Sequence, residues 1–196
     1  PRLLQDPPVV DRAKSRLNPG REKRIAELTA ELPAPDQRIR ELIAQRLPKA
    51  AAGGASLEKG AALFKTHCAA CHKIGDVGQK VGPQLDGIGQ RGAERLLEDI
   101  LDPNRNVDGA FRATVIVTKA GLTIVGLKLR NDGDLTVIVD SMGKEQRIAA
   151  GDIDESVISQ ISPMPSNLAE TVPEADFLHL LAYLLSQKTA AVGEGK

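Results

Sequence analysis

Five residues, Cys68-Ala69-Ala70-Cys71-His72, constrain this chain more than any others. They read C-x-x-C-H, the attachment signature of a c-type haem. Two thiols three positions apart at the start of a helix can both reach the vinyl groups of one porphyrin and add across them as thioethers. His72 then lies under the ring, where an imidazole nitrogen can meet the iron as its fifth ligand. The motif has competitors. A C-x-x-C pair can be a redox dithiol, but that site belongs to a βαβ pattern and none is visible here. A zinc site could draw on Cys68, Cys71, His72 and His67, but it would crowd neighbouring residues onto one metal, and no second C-x-x-C or H-x3-H follows. The chain has only these two cysteines, which argues against a chance match in a cysteine-rich sequence.

A chain of 196 residues has room for one ordinary domain or a small domain with additions. Its core is short of aromatic volume, with no Trp, one Tyr and three Phe. A buried porphyrin, itself a large flat apolar body, would supply some of what is missing. Charge is balanced, 26 basic against 26 acidic residues, which argues against nucleic acid or a polybasic membrane role. No run approaches the roughly 18 apolar residues of a membrane span. The sequence opens on Pro1 without an apolar leader and reads as processed, or cut from something longer.

Residues 1–20, with Pro1, Pro7, Pro8 and Pro19, read as an extended tail. Ile25, Leu28 and Leu32 fall at helical spacing, and Pro33-Ala34-Pro35 breaks that helix. Asp36 is a plausible cap for a second helix carrying Ile39, Leu42, Ile43 and Leu47, ended by Pro48. The two make a helical hairpin, either packed on the main domain or closing a larger helical-repeat region. Lys49 to Ala55 reads as a flexible linker. Ser56 caps the helix that carries Gly60, Leu63 and Phe64 into the cysteine pair. After His72 the chain is glycine-rich to Arg91, which suits a loop that approaches a flat object closely. A further helix spans Ala93 to Leu101 and stops at Asp102-Pro103.

Residues 111–161 read differently. Strands are expected over 112–118, 122–130 with Gly126 as a possible bulge, 135–140 and 145–149, with a fifth at 157–161. Asn131-Asp132-Gly133-Asp134 signals a tight hairpin. Together they make a small antiparallel sheet or open barrel, acting as a cap over the haem edge or a docking face for a redox partner. Asp152, Asp154 and Glu155 lack the full calcium-loop pattern and read as a solvated turn.

With Gly60 and Phe64 as G-x-x-x-F, the CAACH at 68–72, Val81-Gly82-Pro83-Gln84-Leu85, a later Met and the closing Leu180-Leu181-Ala182-Tyr183-Leu184, the chain resembles a class I cytochrome c. The resemblance covers 56–103 and 162–186. More narrowly, it resembles the haem-binding domain that ends many large planctomycete and verrucomicrobial proteins, where helical repeats precede the cytochrome. The resemblance implies a mainly α cytochrome c fold, interrupted by the β region and preceded by the helical hairpin. It divides the chain into a tail and hairpin at 1–52, a cytochrome domain at 53–110 and 162–190, and a β insertion at 111–161. It also implies that the first and last helices cross at Gly60, with Phe64 against Leu180 and Tyr183. The Pro83 carbonyl would accept a hydrogen bond from His72, and Leu85 would line the haem.

Four residues are candidates for the sixth iron ligand: Met142, Met164, His67 and His179. Met142 falls in a hairpin turn, His67 shares the proximal side with Cys68, and His179 lies inside the closing helix. Met164 sits in Ser162-Pro163-Met164-Pro165, where flanking prolines lower the entropy lost in holding sulfur on iron. The family's distal Met comes from a loop at about this distance before the closing helix, which favours Met164. His72 and Met164 would fill both axial positions and leave no open site for catalysis. The resemblance therefore implies one haem c and single-electron transfer to a redox partner, a dehydrogenase or another cytochrome, in an exported compartment. Two other classes compete. A haem-based sensor of small ligands would have a labile or missing sixth ligand, and a structural module would bind a partner through the β region. Lys80 and Arg91 could steer an anionic partner, though scattered surface charge explains them equally.

Overall fold

A computed structural model describes residues 35–188. The tail and the first helix of the expected hairpin lie outside the described residues. The chain is mixed in class, with α-helices and an antiparallel sheet.

Helix α1 (Pro35–Ala51) opens on a proline, which costs little at a helix start because that N–H would be unpaired anyway. Asp36 therefore lies inside the first turn rather than capping it. Pro48 does not end the helix, which runs on to Ala51. Proline removes one interior hydrogen bond, but side-chain contacts hold α1 along its length. Ile39 is buried in the main core, Arg46 stacks 4.2 Å over the Phe177 ring, and Lys49 Nζ meets Glu174 Oε2 at 2.7 Å.

Helix α2 (Leu57–His67) starts at Ser56, whose hydroxyl accepts from Lys59 N. Beyond the cysteine motif, β1 (Lys73–Ile74) and β2 (Val77–Gly78) form a minimal hairpin that turns at Gly75. Helix α3 (Ala93–Leu101) puts Leu96, Leu97, Ile100 and Leu101 into the core. Nearer the C-terminus come the short α4 (Leu168–Thr171) and α5 (Glu174–Ser186). Helices α2 and α5 cross at Gly60, where an added Cβ would lie 2.1 Å from His179 O and 2.6 Å from Tyr183 Cβ. Phe64, fully buried, sits at that crossing with its ring 5.8 Å from Tyr183.

Between α3 and α4 the chain forms five strands in the order β6-β5-β4-β3-β7, every neighbour antiparallel. They are β3 (Thr114–Thr118), β4 (Thr123–Asp132), β5 (Leu135–Val139), β6 (Glu145–Ala149) and β7 (Ile153–Ile158). The fifth strand starts at Ile153, earlier than expected, so Asp154 and Glu155 are strand residues and not a turn. Ile153, Glu155 and Val157 share the half-buried face of this edge strand, and Asp154, Ser156 and Ile158 its exposed face, with the strand paired to β3. Gly126 is not a bulge either. The β4–β5 register shifts between Lys128 and Arg130, and Gly126 lets the Val139 carbonyl approach, where a Cβ would meet it at 2.3 Å. Each strand contributes one isoleucine to a second cluster: Ile116, Ile124, Ile138, Ile148 and Ile153.

Candidate functional site

The chain leaves α2 through the cysteine motif, so the pair lies at a helix C-terminus rather than at a helix start. The Cys68 N–H still bonds Phe64 O, and His72 N closes a tight turn on Cys68 O at 2.8 Å. The next loop folds back onto that turn through backbone bonds. Gln79 N reaches Ala69 O at 3.0 Å, Gly82 N reaches Cys71 O at 2.7 Å, and Leu85 N reaches Lys73 O at 2.9 Å. Asp86 pins the loop from outside by accepting from Gly75 N and Gln84 Nε2. The Gly75 bond, ahead of that from Gln84, holds its carboxyl below the usual range.

This arrangement fixes the imidazole. His72 Nδ1 lies 2.7 Å from Pro83 O, and a carbonyl can only accept, so Nδ1 carries the proton. Nε2 keeps its lone pair. Burial pushes the His72 pKa down against the opposing pull of that hydrogen bond, which also favours the neutral ring a metal requires. Gly82 presses on the ring, since a Cβ there would stand 2.9 Å from Cε1 and 3.2 Å from Nδ1.

A cleft of about 330 Å³ opens beside the ring, within the usual range for cofactor pockets. Cys68, Cys71, His72, Pro83 and Leu85 line it, and so does Met164. All the residues expected to hold the cofactor are thus brought to one cavity. The other sulfur and imidazole candidates differ. Met142 is 80% exposed on the β5–β6 turn and does not line the cleft. His179 Nδ1 accepts from Ser56 N at 3.0 Å and so helps hold the start of α2. His67 borders the cleft from the last residue of α2, beside the cysteines.

The thiols lie in surroundings that disfavour their charged form. Burial, with the neighbouring Cys71 second, pushes Cys68 up to about 12, and burial followed by the Asp140 carboxylate raises Cys71. Reactive dithiols need the opposite shift. Among the described residues no group of three His, Cys, Asp or Glu side chains is placed to hold a metal ion.

Residues 57–119 match the family model for cytochrome c. The match runs from α2 through the cysteine motif and α3 into β3. Cytochrome c of Gibberella zeae is 53% identical over 36 residues, 18% of this chain and 34% of that protein. Cytochrome c of Stellaria longipes is 56% identical over 32 residues, 16% of this chain and 30% of that protein. The chain spans about a third of the length of these curated relatives. The cofactor of a cytochrome c segment is haem c, an iron porphyrin attached covalently. The cavity fits it: paired cysteines on one wall, an imidazole of fixed tautomer with a free Nε2, and a thioether within the same cleft. No helix among the described residues is long and apolar enough to cross a membrane.

The sequence offered the β region as a cap over the haem edge or a docking face, but named none of its residues at the site. Phe111, Leu127, Val139 and Asp140 line the cleft too, so the β region takes part in enclosing it. The signal was present in β5, Leu-Thr-Val-Ile-Val, buried along nearly its whole length. A strand buried on both faces must have something on each. Ile138 faces the isoleucine cluster, while Val139 faces the cleft. Arg91, expected as a steering or scattered surface charge, also lines the cleft, and its Nε pairs with Asp99 Oδ2 at 2.9 Å.

Proposed function

We propose that the chain is a monohaem c-type cytochrome carrying single electrons for an associated or fused oxidoreductase. The observation that carries this reading is the bond from His72 Nδ1 to Pro83 O, at 2.7 Å, with Met164 on the same cleft. Haem supplies a one-electron change at its iron when bound. The chain's residues do the rest. Cys68 and Cys71 tether the porphyrin, His72 offers Nε2 as the proximal ligand, and Pro83 holds the imidazole tautomer and raises its basicity. Leu85 and the apolar wall from the sheet exclude water. Met164 offers a thioether, which favours the ferrous state over a second imidazole. With His72 and Met164 both given to the iron, oxygen or peroxide would find no open position there.

On this reading residues 53–110 and 162–190 are the cytochrome domain, 111–161 are an insertion that walls the cleft, and 1–52, of which 1–34 lie outside the described residues, are the tail and hairpin that precede it. The thioether attachment expected at Cys68 and Cys71 supports an exported compartment, and the narrower likeness to the terminal domains of large planctomycete and verrucomicrobial proteins supports a dehydrogenase or another cytochrome as partner. The test is an absorption spectrum of protein made in a host that attaches haem c. A low-spin spectrum with the weak sulfur-to-ferric-iron band, unchanged by carbon monoxide, supports electron transfer. A high-spin ferrous form that binds carbon monoxide overturns it and favours a sensor.

A further inference from the structure

Residues 159–167 have neither helix nor strand, yet Met164 lies among them. A segment without ladder partners must satisfy its backbone N–H groups in another way or pay for leaving them unpaired. Pro163 and Pro165 have no N–H. The remaining amides of 161–165 are each taken by a side-chain oxygen. Ile161 N donates to Ser159 Oγ at 3.0 Å, Ser162 N to Asn104 Oδ1 at 2.8 Å, and Met164 N to Ser162 Oγ at 3.1 Å. Ser162 is used twice: its N–H is held by Asn104, and its hydroxyl holds Met164.

Asn104 is 58 residues away in sequence, in the turn just after α3. That turn is anchored by Arg105 N to Asp102 O at 3.1 Å, and Asp102 is itself buried. Asn104 therefore ties the Met164 segment to a rigid part of the core. Proline restricts φ on either side of Met164, but restriction alone does not place a residue. The two hydrogen bonds supply the placement.

We propose that Asn104 and Ser162 are positioning residues that hold Met164 in place as the distal ligand. The proposal rests on the reading of Met164 as that ligand. It makes a chemical distinction, because both side chains act as acceptors. Asn104→Asp and Ser162→Thr keep the accepting oxygen, whereas Asn104→Ala and Ser162→Ala remove it.

The experiment titrates ferric holoprotein with imidazole, which competes with a methionine for iron, and follows the sulfur-to-iron band. Wild type, the four variants, Met164→Ala and Met142→Ala are compared, with thermal melting recorded for each. Losing one such bond is expected to tighten apparent imidazole binding by about three- to tenfold, with the Asn104→Asp and Ser162→Thr proteins close to wild type. Met164→Ala should lose the sulfur band outright. Wild-type imidazole affinity in both alanine variants overturns the brace while leaving the ligand reading intact. So does equal tightening of imidazole binding in the alanine and conservative variants. A sulfur band that survives Met164→Ala removes the ligand reading, and the brace with it.

Discussion

Gly82 acts by lacking a side chain. The loop closes on His72 only because nothing stands between the Gly82 backbone and the imidazole face. Gly82→Ala must push the ring or the loop by several tenths of an ångström and lengthen the bond to Pro83. Overpacking of this kind costs about 1–3 kcal/mol, which chemical denaturation of the holoprotein would detect; an unchanged midpoint would contradict the close packing. Asp140 shows a second residue-scale effect. Partial burial raises its pKa, but bonds from Lys144 N, Met142 N and Gln146 Nε2 outweigh it and set the value below the ordinary aspartate range. The folded pKa is depressed, so the contribution is present above the unfolded value and lost as pH falls through the folded one. An NMR titration of the Asp140 carboxyl should give a midpoint below that of an exposed aspartate, and a midpoint at or above it would contradict the turn geometry. The Gly82-Pro83 pair was legible through the resemblance to class I cytochromes c, whose proline after glycine maps onto it. Asp140 was not, because a carboxylate bonding to amides two and four residues on looks like any turn aspartate.

At the level of elements, the crossing of α2 and α5 brings two helix backbones into direct contact. At Gly60 the obstacle to any Cβ is the backbone carbonyl of His179, which no rotamer change can move aside. Gly60→Ala should separate the helices and cost about 2–3 kcal/mol. Urea unfolding would measure it, and a negligible loss would show that the helices can slide apart freely. Helices were readable where periodicity and a stop signal agreed, as for α3, whose bounds matched the expected span. They were less so at α1, where Pro48 looked like a stop. The contacts that carry the helix past it come from Glu174 and the core, distant in sequence. The β7 strand was misplaced for a related reason. Its acidic residues resemble a loop, and only pairing with β3 reveals a strand with Asp154 on the exposed face and Glu155 on the half-buried one.

In the whole molecule, the sheet and the helices enclose one cleft together. From the chain a cap over the haem edge and a docking face stood side by side, because the match to the cytochrome pattern stopped where the strands began. Its consequence is electrostatic. Val139 is 1% exposed and faces the cleft, so Val139→Ser adds a dipole beside the cofactor. A more polar surrounding favours the ferric state, and the reduction potential should fall in a redox titration. An unchanged potential would mean that the sheet does not tune the site. Proton NMR of the reduced holoprotein reads the proposed ligation by His72 and Met164 at the iron itself. A three-proton methyl line should appear far upfield, shifted by the porphyrin ring current, lost in Met164→Ala and kept in Met142→Ala. No such line in wild type, or its loss in Met142→Ala instead, would rule that ligation out.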